Sequence, residues 1–155
     1  MTKAAAHLAS LHECGHVVAI LRYGGTIESI EIKERDCPEC PTGKALGVVR
    51  YSLPIETRRD AFQELIVRYA GGIAVRRVYP RCTGDSVGDE QQADALLAQW
   101  FPDTRGRDQV KARARILAEQ IVTEEWPRIT GLALVLMNWR TMTGEQLAAV
   151  LPSYK

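Results

Sequence analysis

A pair of histidines four residues apart constrains the fold of this chain more than any other feature of its sequence. His12 and His16 lie in the segment LHECGHVVA, whose apolar residues recur at helical spacing. Side chains at positions i and i+4 of an α-helix share one face, so both imidazoles can reach one ion at roughly 2.0–2.1 Å, the zinc–histidine bond length. The pattern therefore predicts a metal-binding helix over residues 4–22, which ends at Gly24 and Gly25.

The residue that follows the first histidine gives this helix a chemical interpretation. Glu13 would lie beside the metal without binding it, and H-E-x-x-H is the arrangement in which such a glutamate acts as general base toward a metal-bound water. Two simpler interpretations compete, namely a histidine pair without metal and a metal site without turnover. Gly15 lies within the same helix, where glycine costs about 1 kcal/mol relative to alanine, so we expect another backbone to pass close to it.

A catalytic zinc site requires a third protein ligand, which the rest of the chain must supply. The remaining histidine, His7, lies about 140° around the helix from His12, so it cannot bind the same ion. The third ligand should therefore be a carboxylate. Asp85, Asp89 and Glu90 lie in a loop that leads to a helix start, where free backbone N–H groups can support such a side chain. Spacing alone does not choose among these three.

Periodicity along the rest of the chain predicts a mainly α fold with a small antiparallel β-hairpin or sheet. Alternating patterns at residues 27–33 and 46–53 are typical of two strands, paired as a hairpin with a long loop that is rich in turn-forming residues. Helical patterns and a capping box follow: residues 57–78, 89–101, 110–122 and 127–139, with the box at residues 143–146. We expect five or six helices in a single domain, residues 1–155, and a loop at residues 104–108.

Composition excludes some classes of function. A formal net charge of +1 gives no extended basic field, so we expect no nucleic-acid partner. No apolar run reaches the ~18 residues of a membrane span and no signal-peptide pattern is visible, so we expect no membrane partner and a cytoplasmic location. Cys37 and Cys40 have zinc-knuckle spacing, but a structural zinc needs four ligands, so thiols in a hairpin loop are favoured. Cys14 should be a small core side chain.

Several motifs, in the same order, resemble the peptidase domain of the FtsH-type membrane-anchored AAA+ proteases. The stretch SLHECGHVVA is similar to that family's metal helix, and GKALGVVRYSLP is similar to its second strand. RYAGGIAVRRVYP is similar to its Gly-Gly helix, and CTGDSVGDEQQADALLAQ to its third-ligand loop and helix. Residues 116–147 are similar to its C-terminal pair of helices. The resemblance covers nearly the whole chain and implies a helical zinc-metallopeptidase fold.

The resemblance also implies a set of site residues. In the family, the third zinc ligand is the Asp immediately before a helix that reads roughly D-x-E-Q-A, which corresponds here to Asp89. The implied zinc ligands are thus His12, His16 and Asp89, and Glu13 is the implied general base. The loop before Asp89 is one residue longer than in the family, which leaves Asp85 open. Asp89 could also serve as a helix N-cap, the commoner role of Asp at such a position.

The implied activity is that of a zinc-dependent endopeptidase acting on unfolded or flexible polypeptides. Because the family is hexameric and works with an ATPase, a homo-oligomer and a separate AAA+ ATPase are implied as partners. No P-loop, ATPase module or membrane anchor is visible in the sequence, so we expect cleavage without ATP. A substrate could add to the free edge of the small sheet. The alternative function is a non-catalytic or regulatory zinc-binding module that associates with a full-length AAA+ protease.

Overall fold

The computed structural model describes residues 1–33, 46–82 and 87–151. The helices in these ranges are α1 (Lys3–Arg22), α2 (Arg58–Val78), α3 (Val87–Trp100), α4 (Thr104–Glu124), α5 (Trp126–Trp139) and α6 (Gly144–Val150). The strands are β1 (Thr26–Lys33), β2 (Leu46–Ser52) and β3 (Thr141–Thr143). The prediction of a mainly helical fold with a small antiparallel sheet is confirmed. The helices in these ranges include none with the length and hydropathy of a membrane span.

Helix α1 lies in the middle of the fold. It contacts α2, α4, α5 and both strands of the β1–β2 hairpin, and every residue from Leu8 to Ile20 is buried. Thr2 starts the helix, since its side-chain oxygen accepts a hydrogen bond from the Ala5 N–H at 3.1 Å. Gly24 follows its end with φ 76°, a conformation that favours glycine. The predicted bounds are confirmed, and burial on nearly all sides holds the side chains of α1 in fixed positions.

The packing of α1 against α2 depends on Gly15. A Cβ built at this position would lie 2.6 Å from the carbonyl oxygen of Ala70 and 2.9 Å from the Cβ of Ala74. Both distances are shorter than the ~3.5 Å of an ordinary van der Waals contact, so no other residue fits there without movement of a backbone. The expectation that a second backbone passes close to Gly15 is confirmed.

Reciprocal capping boxes start two of the other helices. Thr57 accepts a hydrogen bond from the Asp60 N–H at 3.2 Å, and the Asp60 carboxylate accepts one from the Thr57 N–H at 2.8 Å, which starts α2. Thr143 and Gln146 exchange the equivalent hydrogen bonds at the start of α6, at 2.8 and 3.2 Å. The capping box that the sequence predicted at residues 143–146 is confirmed.

The sheet contains the predicted hairpin and one strand that was not predicted. β1 pairs antiparallel with β2, from Thr26 opposite Ser52 to Lys33 opposite Leu46. The short strand β3 pairs antiparallel with the other side of β1, so the strand order is β2-β1-β3. β2 is therefore an edge strand in the part of the chain that the structure describes.

Two helices begin earlier than the sequence predicted. Helix α3 begins at Val87, so Asp89 lies in its first turn, and the prediction that Asp89 directly precedes the helix is wrong. The N-cap interpretation of Asp89 is wrong for the same reason. Helix α4 begins at Thr104, where Asp103 accepts a hydrogen bond from the Arg105 N–H at 3.0 Å, so residues 104–108 are helical and not a loop. These polar first turns carry no apolar periodicity, and for that reason they were missed.

Helix α5 packs one face into the core. Its buried residues are Ile129, Leu132, Ala133 and Leu136. Trp139, the last residue of this helix, is 51% exposed.

Candidate metal centre

The three predicted ligand side chains meet between α1 and α3. The Nε2 atoms of His12 and His16 lie 3.0 Å apart, and Asp89 Oδ2 lies 2.9 Å from the first and 3.2 Å from the second. Ligands of one tetrahedral ion with bonds of roughly 2.0–2.1 Å lie about 3.3 Å apart, so the spacing suits a shared ion. Within the described ranges, this is the one group of three His, Cys, Asp or Glu side chains that could hold a metal.

Helix α2 orients His16 within this cluster. Its Nδ1 donates a hydrogen bond to the Val67 carbonyl oxygen at 2.7 Å, which leaves Nε2 with a lone pair directed at the cluster, as metal binding requires. A Cβ at Gly71 would lie 2.5 Å from His16 Nε2 and 3.0 Å from His12 Nε2. The missing side chain at Gly71 thus provides the space in which the two nitrogens and an ion fit. Two imidazoles and one carboxylate are also a donor set that suits zinc.

The surroundings of Asp89 keep its carboxyl group ionised. Burial by itself raises its pKa, but when His16 is protonated its charge, together with hydrogen bonds from His12 and His16, outweighs burial and holds the pKa well below its usual range. Its other oxygen, Oδ1, lies 3.5 Å from Nη1 of Arg68. Asp89 therefore has the charge state that a zinc ligand needs.

Glu13 lines the same cleft but does not join the cluster. Its side chain is buried and lies against Gly47 of β2, where an added Cβ would overlap Glu13 Cγ and Oε1. The cleft has a volume of about 250 Å³ and is lined by α1, α2, α3 and β2. The predicted base and the predicted ligands thus face one common space.

Two further residues from the sequence analysis lie outside the cluster, as predicted. His7 Nδ1 lies 2.9 Å from the Tyr79 hydroxyl, so this histidine has a partner at the far end of α2. Cys14 is fully buried, and burial, with a contribution from the charge of Glu13, raises the pKa of its thiol well above the usual range. Cys14 is therefore a core side chain.

Of the other ligand candidates, one lies outside the cluster and the rest lie outside the described residues. Glu90 forms an ion pair with Arg115 at 2.9 Å and does not belong to the cluster. Asp85 lies outside the described residues, and so do Cys37 and Cys40 with their predicted place in a hairpin loop. Among the candidates that the structure describes, Asp89 is the carboxylate that meets both histidines.

A partly buried ion network next to the cluster was missed by the sequence analysis. Glu64 Oε1 accepts hydrogen bonds from Arg68 Nε at 2.8 Å and from the Tyr51 hydroxyl at 2.5 Å. The one local signal for it was the i,i+4 spacing of Glu64 and Arg68, which occurs on many solvent-exposed helices and does not by itself indicate a site.

Comparison with known proteins gives no match, either to a protein-family profile or to a curated protein. The resemblance to a peptidase domain therefore rests on the motifs of the chain itself. The class of site is defined by geometry alone: a buried group of two imidazoles and one carboxylate, with a second carboxylate beside it, at the bottom of a cleft.

Proposed function

We propose that the chain is a zinc-dependent endopeptidase of the H-E-x-x-H type, with an FtsH-peptidase-like fold, that hydrolyses unfolded or flexible polypeptides. The observation that carries the proposal is the meeting of His12, His16 and Asp89 within 3.2 Å of one another, in a cleft that Glu13 also lines. Catalytic zinc sites use three such ligands and leave a fourth position open. The resemblance adds a homo-oligomer and a separate AAA+ ATPase as proposed partners.

The chemistry follows from the positions of the charges. A zinc ion at this site would lower the pKa of a coordinated water to about 7 and would polarise the peptide carbonyl. Glu13 accepts the proton of the attacking water and then donates it to the leaving amine, which restores the carboxylate. The contact with Gly47 keeps the Glu13 side chain at the cleft, and its burial limits exchange of the proton with bulk water.

The edge strand β2 supports a binding mode for extended substrates. Gly47, Val48 and Val49 line the cleft beside the metal cluster, and β2 pairs with β1 on its other side. A substrate segment added to this edge would be bound through backbone hydrogen bonds, which carry little side-chain specificity. This mode requires a segment that is free of secondary structure of its own, and for that reason we propose unfolded polypeptides as substrates.

Replacement of Glu13 by glutamine tests the catalytic proposal. Glu13→Gln keeps the size of the side chain and removes its ability to take a proton. The protein should still bind about one zinc ion per chain. Hydrolysis of a casein-like unfolded substrate without ATP should fall by at least roughly a hundredfold. Glu119→Gln, on the exposed surface of α4, is the matched control and should hydrolyse at the wild-type rate.

Two results would contradict the proposal. Undiminished hydrolysis in Glu13→Gln would refute the role of this residue as general base. Wild-type protein that binds zinc but hydrolyses no unfolded substrate would favour the regulatory zinc-binding module instead.

A further inference from the structure

Arg68 connects the metal cluster to a second carboxylate. Its Nε and Nη2 atoms each lie 2.8 Å from Oε1 of Glu64, one turn earlier on α2, while Nη1 lies 3.5 Å from Oδ1 of Asp89 on α3. The guanidinium is planar, so its orientation toward Glu64 also determines where Nη1 points. One cation therefore lies between a carboxylate of its own helix and a carboxylate of the metal cluster.

The Glu64 end of this network is held firmly. Glu64 is 3% exposed, and the Tyr51 hydroxyl donates a hydrogen bond to the same Oε1 that Arg68 contacts. The Arg68 guanidinium also lies over the Tyr51 ring, 5.8 Å from its centroid. Tyr51 belongs to β2, so the position of Arg68 is determined from two elements of the fold.

Stability alone does not explain this network. A buried ion pair compensates for the loss of hydration only when its remaining polar atoms are also satisfied. Glu64 Oε2 is buried and has no hydrogen-bond partner among the described residues. A pair that is incompletely satisfied contributes little to folding, which favours a role for Arg68 at the neighbouring site.

We propose that Arg68, held by Glu64 and Tyr51, is a positioning residue that orients the third zinc ligand. Asp89 directs Oδ2 at the two imidazoles and Oδ1 at Arg68. The guanidinium restrains Oδ1, so the carboxylate does not rotate and it offers a single oxygen to the ion. This inference rests on the zinc site of the proposed function, but it does not depend on peptidase activity.

Arg115 provides a matched control for this role. It also contacts the first turn of α3 from a neighbouring helix, with Nη2 2.9 Å from Glu90 Oε1. Glu90, however, does not belong to the metal cluster. If Arg68 acted only by attaching α3 to the rest of the fold, loss of Arg115 should weaken zinc binding in the same way.

The test measures zinc affinity by competition with a chromophoric chelator for the full chain and for the variants R68Q, E64Q/R68Q and R115Q. The double variant removes both charges, so it avoids the uncompensated buried carboxylate that R68Q leaves. Circular dichroism tests whether each variant is folded. The visible spectrum of bound Co²⁺ reports the ligand geometry independently of turnover.

We expect R68Q and E64Q/R68Q to bind zinc about tenfold more weakly and to change the Co²⁺ spectrum. Partners of metal ligands typically contribute roughly 10–100-fold in affinity, and the 3.5 Å separation places Arg68 at the low end. R115Q should stay within about twofold of the wild type, because Glu90 is not a ligand.

The outcomes separate this inference from the proposed function. Folded E64Q/R68Q with wild-type zinc affinity would overturn the positioning role, and so would an equal loss of affinity in R115Q. A wild-type chain that binds no zinc would overturn the proposed metal site together with this inference. Zinc binding without peptide hydrolysis in the wild type would overturn the proposed activity alone.

Discussion

A methyl group at Gly71 should expel zinc from the cluster. The added Cβ would lie 2.5 Å from His16 Nε2 and 3.0 Å from His12 Nε2. An ordinary carbon–nitrogen contact is about 3.5 Å, so the two nitrogens would have to move by about 1 Å and about 0.5 Å. Metal–ligand distances tolerate deviations of only about 0.2 Å. Both histidines would therefore leave the positions that a shared ion requires.

The imidazole of His16 cannot move away at little cost. Its Nδ1 is held by the Val67 carbonyl at 2.7 Å, and the residue is buried. Gly71→Ala should therefore lower zinc affinity by more than roughly a hundredfold, beyond the range that partners of ligands produce. Without zinc, a gain of about 1 kcal/mol in helix propensity opposes an overpacking cost of about 1–3 kcal/mol. The free energy of unfolding should thus fall by no more than about 2 kcal/mol.

Chelator competition measures the zinc affinity of Gly71→Ala, and urea unfolding in excess chelator measures its stability. Gly131→Ala is the matched control, because Gly131 is also helical and a Cβ there would meet nothing within 4 Å. This control should bind zinc like the wild type and should be more stable by up to about 1 kcal/mol. Wild-type zinc affinity in Gly71→Ala would refute the inference that the two imidazoles share one ion beside this glycine.

Two further predictions concern Asp89 and Tyr69. Asp89→Ala should lose zinc on dialysis against a weak chelator and should abolish turnover, whereas Asp85→Ala should keep its metal; the opposite order would make Asp85 the ligand. The Tyr69 hydroxyl is buried and has no hydrogen-bond partner among the described residues, so Tyr69→Phe should unfold in urea at pH 7 with unchanged or up to about 1 kcal/mol higher stability. Burial, reinforced by Glu90 and opposed by Arg115, raises the pKa of Tyr69 to about 12, above the ~10 of an unfolded tyrosine. The folded state therefore keeps a proton that the unfolded state loses, and wild-type stability should fall from about pH 10 to about pH 12 more steeply than that of Tyr69→Phe.

The part of the site that lies on one helix could be predicted because its geometry is local. The spacing of His12 and His16 places their rings on one face wherever the helix packs, and Gly24 ends that helix through its own backbone conformation. Asp89 is 77 residues away from His12, and no local pattern distinguishes it from Asp85 or Glu90. The family resemblance, together with the predicted position of Asp89 at a helix start, selected it.

The short strand β3 could not be predicted, for a related reason. It has three residues, too few for an alternating pattern, and it becomes a strand only because β1 offers it a partner, with Ser29 opposite Thr143. The start of α3 at Val87 could not be predicted for a similar reason, since the exposed and half-buried residues of its first turn carry no apolar pattern. Strands and helix ends that depend on a distant neighbour cannot be predicted from local periodicity.

The contribution of α2 to the site shows the same limit most clearly. An i,i+4 pair such as Glu64 and Arg68 is usually solvent-exposed and contributes only about 0.2–0.5 kcal/mol to a helix. Here Glu64 is buried and is contacted by Tyr51 of β2, and the rest of the site depends on how closely α2 approaches α1. That approach is set where Gly15 meets the carbonyl of Ala70, a contact that admits no side chain. The same crossing brings Gly71 against the two imidazoles, so the small residues that bring the helices together also shape the metal cluster.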